Sequence, residues 1–167
     1  MFKILHDYCI PKKGTKYSAY IDLFSAEDVV IGAGETKIIK LGVKLDLEKL
    51  KENKFKSANG IVDIESPLWQ EFLKSHYLEV ALRSSLGAKG LIISNGIGII
   101  DLDYPDEIGL IVHNPVIDVT FGVYNGSRFI INKGDKVAQC TLKEHKGYLL
   151  GYESDVVRVS GFGSTGK

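Results

Sequence analysis

The amino-acid sequence predicts an all-β protein, built as a sandwich or barrel, with one short helical insertion. Apolar and polar residues alternate with a period of two in several segments, which is typical of half-buried strands. Glycine, asparagine and aspartate interrupt these segments at short intervals, as in IGAGE, YNGS and NKGD. One segment instead places apolar residues at helical spacing. Many short strands with frequent turns favour a sandwich or barrel.

The clearest alternation covers residues 36–47, where the apolar positions are Ile39, Leu41, Val43, Leu45 and Leu47. A second strand is predicted at residues 77–83, where one face carries Leu78, Val80 and Leu82. Residues 107–113 and 135–142 show the same pattern less cleanly. We therefore expect at least these strands to contribute one face each to a hydrophobic core.

The helical segment is SPLWQEFLKSHY, residues 66–77. Ser66 is a good N-cap, and Pro67 suits the first helical position. An apolar stripe follows, formed by Leu68, Trp69, Phe72 and Leu73. The preceding residues 48–60 are polar, lysine-rich and aperiodic, and no regular structure is expected there. Residues 48–77 thus form an insertion. It is either a solvent-exposed segment without a binding role or a flap that binds a partner.

Composition and charge limit the classes of function. The chain has 167 residues, 44% hydrophobic and 25% charged, which suits one soluble globular domain. Its 21 Lys and Arg balance 21 Asp and Glu, so direct nucleic-acid binding through a general positive field is not expected. Any anionic ligand must be held by a local site.

Cysteine usage and hydropathy predict the compartment. Cys9 and Cys140 form no CxxC pair, which fits a reducing environment. No apolar run is long enough to cross a bilayer, and the start of the chain lacks the apolar core of a signal peptide. We expect a cytoplasmic protein without a membrane partner, or one in the host cytoplasm or nucleus if its source is viral.

Two short stretches carry groups that suit phosphate. RSSLGAKG, residues 83–90, follows a strand and offers a guanidinium, two hydroxyls and backbone N–H groups at a turn or helix start. Alternatively, Ser84 or Ser85 only caps a short helix. GDKVAQ, residues 134–139, is a turn entering a strand, and Gln139 either donates to phosphate or serves the strand alone.

The most informative stretch is SNGIGIIDLDYPDEIGL, residues 94–110. Asp101 ends an apolar run, residues 103–106 form a turn, and a strand follows from Glu107. The pattern predicts a β-hairpin with an aspartate and an aromatic residue, Tyr104, near its tip. The alternative is turn chemistry alone, because Asp and Pro favour turns in any protein.

The final residues, GFGSTGK, fit the letters of a phosphate-binding P-loop. A P-loop requires a Ser or Thr after the lysine and a following helix, and neither follows Lys167. The segment instead places Phe162 between glycines, ahead of Ser164 and Thr165. It is either a disordered end or an arm that orders on a ligand, with the ring against a base and the hydroxyls near phosphate.

Together and in this order, these stretches resemble the motifs of the trimeric dUTPase family. The matching segments are SAYIDLFSAEDVVI, RSSLGAKG, NGIGIIDLDY, GDKVAQ and GFGSTG. The resemblance implies a jelly-roll-like fold and a homotrimer with shared active sites. It also implies Mg2+-dependent hydrolysis of dUTP to dUMP and pyrophosphate by water attack on the α-phosphate. That activity keeps uracil out of DNA and supplies dUMP for thymidylate synthesis.

The resemblance also implies residue roles. Asp101 is the catalytic aspartate that orients the attacking water, and Asp22 holds Mg2+ through its bound waters. Tyr104 stacks on the deoxyribose, Asn95 helps to read uracil, and Phe162 packs on the base from an arm that closes over a neighbouring subunit. The complete set of substrate-binding residues implied is Arg83, Ser84, Ser85, Asn95, Gly98, Tyr104, Gln139, Arg158, Phe162, Gly163, Ser164 and Thr165.

The chain departs from the family at several positions. Tyr20 stands where the first motif has glycine, and Asp106 stands where the third motif has glycine. Val157 occupies the place of the arginine that precedes the last motif, with Arg158 one residue late. Residues 48–77 and a stretch near 115–125 are longer than usual. Residues 1–145 are expected to form the β domain and residues 146–167 a C-terminal arm.

Two alternatives to dUTP hydrolysis stay open at this point. A dCTP deaminase-type enzyme of the same fold also uses an Arg-Ser-Ser stretch, but it needs a glutamate as general acid and base. A dUTPase-like partner-binding protein would use the insertion as its contact surface. Asp101 and Tyr104 favour the hydrolase.

Overall fold

A computed structural model describes residues 1–55, 67–116, 128–152, 154, 156 and 158–161. The strands are β1 (Phe2–Ile4), β2 (Lys12–Lys13), β3 (Ile21–Phe24), β4 (Val29–Ile31), β5 (Thr36–Lys40), β6 (Val43–Leu45), β7 (His76–Leu82), β8 (Ile92–Ile93), β9 (Gly98–Asp101), β10 (Gly109–His113), β11 (Phe129–Ile131) and β12 (Lys136–Glu144). The helices are α1 (Leu47–Phe55), α2 (Pro67–Ser75) and α3 (Ser84–Gly87), with 3-10 turns at Asp7–Cys9 and Gly147–Leu150. In the described part of the chain, no helix is long and apolar enough to cross a membrane.

The strands pair in antiparallel fashion and share one hydrophobic core. A five-stranded sheet has the order β2-β3-β12-β7-β9, and a three-stranded sheet has the order β5-β10-β8. Strands β1 and β6 form one further pair, and β4 and β11 form another. Every one of these units contributes buried side chains to the same cluster, including Leu23, Ile39, Val80, Leu110 and Ile131. The predicted all-β, jelly-roll-like fold is confirmed.

The predicted strands are found, with one break. Residues 36–47 do not form one strand, because β5 and β6 are separated at Gly42, which has φ 64°. A Cβ atom there would lie 2.6 Å from Cys9 Sγ, so the position requires glycine in both conformation and space. The apolar alternation nevertheless continues across the break, since Ile39, Leu41 and Val43 are all fully buried.

In its described part, the insertion contains two helices rather than one. Helix α2 begins at Pro67 as predicted, and Ser66 lies outside the described residues. The expectation of irregular structure before it is wrong, because α1 spans Leu47–Phe55. The Asp46 carboxylate accepts a hydrogen bond from the Lys49 N–H at 3.0 Å, which caps the start of this helix.

Both helices pack on the main domain through an insertion cluster, formed by Leu50, Trp69, Phe72 and Leu102. The ammonium groups of Lys51 and Lys54 in α1 lie 5.7 Å and 5.4 Å from the ring centres of Trp69 and Phe72. The lysines that make this segment look solvated therefore cover the aromatic rings of α2. Because Leu102 belongs to this cluster and directly follows Asp101, the insertion packs against the end of β9.

The predicted β-hairpin at residues 94–110 is not formed. Strand β9 pairs with β7, whereas β10 lies between β5 and β8 in the other sheet. The connection carries Leu102, Tyr104 and Ile108, which are all buried. Because these side chains are buried in the core, the connection crosses from the sheet of β9 to the sheet of β10 and does not turn back along β9.

Tyr20, at the departure in the first motif, completes a polar group on the outer face of the five-stranded sheet. The buried Glu79 carboxylate accepts hydrogen bonds from the Tyr20 hydroxyl and from the Tyr77 hydroxyl, the latter at 3.0 Å. The hydrogen bond from Tyr20 is the main cause that lowers the pKa of Glu79 below its usual value. The same hydrogen bonds raise the pKa of each tyrosine.

Tyr20→Phe is expected to lower the free energy of unfolding at neutral pH by about 1–2 kcal/mol, because a hydrogen bond to a buried carboxylate is lost. The lowered pKa of Glu79 means that this stabilisation is present above its ordinary pKa of 4.5 and is lost as the pH falls below it. Urea unfolding should show the difference from the parent shrinking below pH 4.5. The exposed Tyr152→Phe serves as control, and a difference independent of pH would contradict the assignment.

Trp69→Ala is expected to lower the free energy of unfolding by about 3–5 kcal/mol, because it empties the centre of the insertion cluster. Gln70→Ala, on the exposed side of the same helix, should change it by less than about 0.5 kcal/mol. Urea denaturation measures both. Equal stability of Trp69→Ala and the parent would mean that the insertion is not integrated into the fold.

Candidate active site

The predicted site residues fall into two groups, and the first surrounds Asp22. We call Asp22, Arg83 and Lys136 the Asp22 cluster. Asp22 is 3% exposed on β3, and its Oδ1 atom accepts a hydrogen bond from Arg83 Nη1 at 2.6 Å. Its Oδ2 atom lies 3.1 Å from Lys136 Nζ. Arg83 Nε is also buried and has no hydrogen-bond partner in the described part of the chain, so the guanidinium keeps a donor for a ligand.

Three other predicted phosphate contacts adjoin this cluster. Gln139 pairs across the sheet with Asp22 on one side and with Ala81 on the other. Ser84 and Ser85 are exposed at the start of α3, directly after Arg83. The Arg83 carbonyl accepts hydrogen bonds from the N–H groups of Leu86 and Gly87, which confirms the predicted turn into a short helix. Sequence reasoning missed Lys136, although it stands in GDKVAQ at the entrance to β12.

The second group is the Asp101 cluster, which we define as Asn95, Gly98, Asp101, Tyr104 and Arg158. Asn95, Gly98, Tyr104 and Arg158 line a cavity of about 150 Å3 between β9 and β10. A Cβ atom on Gly98 would lie 3.1 Å from the carbonyl oxygen of Val80, so glycine allows the close approach of β9 to β7. Three of the predicted nucleoside contacts, Asn95, Gly98 and Tyr104, therefore meet in one place.

Arg158 connects this cavity to Asp101. Its Nη1 atom donates to Asp101 Oδ2 at 2.9 Å and lies 3.6 Å from Asp103 Oδ1. Its guanidinium carbon lies 5.2 Å from the centre of the Tyr104 ring. The Asp101 side chain is 63% exposed, against 17% for Arg158. The carboxylate is thus open to solvent on one side and held by a partly buried cation on the other.

Tyr104 forms the floor of the cavity and also contacts Gly161. Burial raises the pKa of Tyr104, and the negative charge of Asp106 adds to that rise. The N–H of Gly161 donates to Asp106 Oδ2 at 2.8 Å. A Cβ atom on Gly161 would lie 2.6 Å from the Tyr104 hydroxyl, so a side chain there would displace Tyr104 or Asp106. The remaining predicted arm residues lie outside the described residues; these are Phe162, Gly163, Ser164 and Thr165.

The two clusters lie far apart within one chain. Asp22 on β3 pairs with Gln139 on β12, and Gln139 pairs with Ala81 on β7. Four residues from Ala81 on the same strand, Tyr77 pairs with Asp101 on β9. Paired residues and residues an even number apart share a face, so both aspartates point to the outer face of the sheet. Strand and residue spacings place their Cα atoms about 20 Å apart.

A larger cavity of about 490 Å3 adjoins Asp101 on the side of the insertion. Its lining includes Leu73 and Lys74 of α2, together with His76, His145 and Arg158. None of the histidines was placed at the site by sequence reasoning, because their positions at the ends of β7 and β12 become neighbours only through sheet pairing.

The residues of the Asp22 cluster fit a metal ion only when an anionic ligand is bound with it. Among the described residues, no group of three or more His, Cys, Asp or Glu side chains could hold a metal. Both Asp22 oxygens face cations, which oppose a bare divalent ion. Mg2+ keeps most of its waters and uses one or two carboxylates together with substrate phosphates. Phosphates that draw Arg83 and Lys136 away would make Asp22 available to it.

Comparisons with known proteins show the family to which the chain belongs. The family model described as dUTPase matches residues 71–166. The deoxyuridine 5'-triphosphate nucleotidohydrolase of Nautilia profundicola is 29% identical over 170 residues, covering 99% of this chain and 96% of the relative. The enzyme of that name from fowlpox virus is 30% identical over 139 residues, covering 83% of this chain and 72% of the relative.

Solved structures show the same fold. The dUTPase of phage phi11 of S. aureus has a TM-score of 0.60 at 22% identity and covers 98% of this chain and 97% of its own. The dUTPase of Streptococcus mutans has a TM-score of 0.58 at 21% identity, with 86% of this chain and 94% of its own covered. A mutant of the phage phi11 protein is described as coordinating a structural Mg(II) ion.

Mg2+ alone is expected to give no saturable binding at the Asp22 cluster, because Arg83 and Lys136 already neutralise the carboxylate. Isothermal titration of the free protein with MgCl2, with Asp22→Asn as control, measures this. Saturable binding to the parent that disappears in Asp22→Asn would show that the site is preformed for the metal.

Proposed function

The chain belongs to the dUTPase family, and on that basis we propose that it hydrolyses dUTP to dUMP and pyrophosphate by attack of water on the α-phosphate. One observation carries the proposal most directly. The exposed carboxylate of Asp101 stands beside the cavity lined by Asn95, Gly98 and Tyr104. A nucleoside in that cavity would present its first phosphate toward the carboxylate.

Asp101 acts in this proposal as the group that orients water. Water is a weak nucleophile, and a carboxylate within hydrogen-bond reach can align it and accept its proton. The open side of Asp101 leaves room for that water. The ion pair with Arg158 fixes the other oxygen at 2.9 Å, so the carboxylate has a defined orientation before substrate arrives.

In this proposal, residues that line the cavity contact the nucleoside. Asn95 offers an amide donor and acceptor for the base edge, and the absence of a side chain at Gly98 leaves the backbone of β9 open to it. The Tyr104 ring, 7% exposed, forms a rigid wall for the deoxyribose that leaves no room for a 2′-hydroxyl. Buried polar groups left unpaired by a wrong base make its rejection strong.

The Asp22 cluster supplies the phosphate contacts. Arg83 and Lys136 offset the negative charge of the triphosphate, and Ser84, Ser85 and Gln139 donate hydrogen bonds to its oxygens. Bound through waters on Asp22, Mg2+ would further neutralise the phosphates during cleavage. The partial exposure of Arg83 and Lys136 allows both side chains to turn from Asp22 to the substrate.

The distance between the clusters supports a site shared between chains. A carboxylate that acts on the α-phosphate and cations that hold the β- and γ-phosphates must all reach one triphosphate. About 20 Å between Asp22 and Asp101 in one chain exceeds what these side chains span. The proposed assembly is a homotrimer in which the Asp101 cluster of one chain meets the Asp22 cluster of another. Its proposed place is the cytoplasm, where the reaction keeps uracil out of DNA and supplies dUMP.

The deaminase alternative lacks its key side chain at this site. In the described part of the chain, no glutamate lines either cavity beside Asp101, and the nearby Glu79 is held by Tyr20 and Tyr77. Incubation with each dNTP, with release of pyrophosphate and of ammonia measured separately, distinguishes the reactions. Pyrophosphate from dUTP alone is expected, and ammonia from dCTP would overturn the proposal.

Asp101→Asn is expected to lower kcat by about 100- to 10,000-fold, because the amide cannot accept a proton from water. The Kd for a non-hydrolysable dUTP analogue should change little, since the cavity is intact. Asp103→Asn, also near Arg158, should retain most turnover. Stopped-flow kinetics and calorimetry measure the two quantities, and near-normal turnover in Asp101→Asn would remove it from the mechanism.

A further inference from the structure

Strand β2 brings a further lysine to the Asp22 cluster. Lys12 on β2 pairs with Asp22 on β3, and the side chains of directly paired residues lie on the same face of a sheet, with Cβ atoms about 5 Å apart. Lys12 is exposed, and its Nζ atom lies 6.0 Å from the centre of the Phe24 ring. Because Phe24 is two residues from Asp22 on β3, it also belongs to that face. The Lys12 side chain therefore extends over the outer face of the sheet, beside Asp22.

The turn between β2 and β3 holds this strand in place. The Ser18 hydroxyl accepts a hydrogen bond from the Thr15 N–H at 2.8 Å, and the Ser18 N–H donates to the Thr15 carbonyl at 3.2 Å. A Cβ atom on Gly14 would lie 3.9 Å from Asp22 Oδ2, so the backbone of the turn lies close to the carboxylate. Lys12 is thus attached to a hydrogen-bonded turn that is packed beside Asp22.

The ammonium group of Lys12 is available to an anionic ligand. Both Asp22 oxygens are occupied by other cations, because Oδ1 lies 2.6 Å from Arg83 Nη1 and Oδ2 lies 3.1 Å from Lys136 Nζ. Lys12 forms no ion pair with a carboxylate in the described part of the chain. Arg83 and Lys136 must leave Asp22 to meet a phosphate group, whereas Lys12 carries a charge that requires no such exchange.

The charge of a triphosphate leaves room for a third cation. At neutral pH a nucleoside triphosphate carries about four negative charges, since the terminal phosphate holds nearly two of them. One Mg2+ ion, Arg83, Lys136 and the Asp22 carboxylate together supply a net of about three positive charges. The ammonium of Lys12 would balance the remaining negative charge.

We propose that Lys12 is a further substrate-binding residue, whose ammonium contacts the terminal phosphates of the triphosphate together with Arg83 and Lys136. The identity of the substrate rests on the proposed dUTP hydrolysis. The terminal phosphates are the partners because the α-phosphate faces Asp101 in that reaction. A lysine suits the position, since its aliphatic stem can stay against Phe24 while its three N–H donors follow phosphate oxygens.

Lys12→Met tests the charge, because methionine keeps an unbranched stem over Phe24. KM for dUTP should rise about 3- to 10-fold with kcat little changed, since the contact is made in the bound substrate and in the transition state alike. Lys12→Arg keeps the charge and should restore most of the affinity. The matched control is Lys13→Met, which removes the same charge from the same strand but on the opposite face, where Lys13 pairs with Ile21. Equal KM values in Lys12→Met and Lys13→Met, measured by steady-state kinetics, would overturn the proposal.

Calorimetric titration locates the contact without turnover. Lys12→Met should weaken binding of a non-hydrolysable dUTP analogue with Mg2+ about 3- to 10-fold. The Kd of dUMP should not change, because dUMP lacks the terminal phosphates. Equal weakening of both ligands would place the effect of Lys12 elsewhere and would contradict the assignment.

Two further measurements separate the possible failures. Urea unfolding of Lys12→Met should show the midpoint of the parent, and a clearly lower midpoint would mean that Lys12 serves the fold through Phe24 and does not act on the substrate. Arg83→Ala should also raise the Kd of the dUTP analogue. If Arg83→Ala raises it and Lys12→Met does not, the role of Lys12 is wrong and the proposed phosphate site stands. If neither variant changes it, the proposed phosphate site fails, and the role of Lys12 fails with it.

Discussion

The register of the five-stranded sheet is the constraint on which the rest of the site depends. It places Asp22 and Asp101 on one face, three strands and four residues apart, or about 20 Å. Neither side chain can cross that distance, and a sheet of paired strands does not deform to close it. In the proposed reaction, one triphosphate needs both clusters, and one chain cannot bring them together. Under that proposal, assembly of the chains is required for catalysis.

The Asp22 cluster and the Asp101 cluster are each held together by ion pairs. Asp22 is neutralised by Arg83 and Lys136, and Asp101 by Arg158. These pairs satisfy the charges of the buried Asp22 and of the partly buried Arg158, which would otherwise be costly. With 21 basic and 21 acidic side chains overall, the protein has no general field to attract a triphosphate. In the proposed function, Arg83 and Lys136 exchange the Asp22 carboxylate for phosphate, and this local exchange takes the place of a general field.

The sequence was sufficient for the elements that depend on local pattern. Alternation identified β7, β10 and β12, Pro67 marked the start of α2, and RSSLGAKG indicated the turn into α3. Sequence reasoning failed where a partner distant in sequence decides the structure. The sequence of residues 94–110 is typical of a hairpin, but β9 pairs with β7 and β10 pairs with β5 and β8 in the other sheet. Helix α1 has too few apolar residues to be recognised until Trp69 and Phe72 supply surfaces for its lysines. The contact of Lys136 with Asp22 likewise appears only when β12 pairs with β3, which places Lys136 opposite Phe24, two residues from Asp22.

A structure of the assembled protein with a non-hydrolysable dUTP analogue and Mg2+ tests the central claim most directly. The account predicts that one nucleotide contacts Asp101 of one chain and Arg83 of another, with the Asp101 carboxylate facing the α-phosphorus across a single water. A nucleotide held by Asp101 and Arg83 of the same chain, or an Asp101 carboxylate turned away from the α-phosphorus, would contradict it.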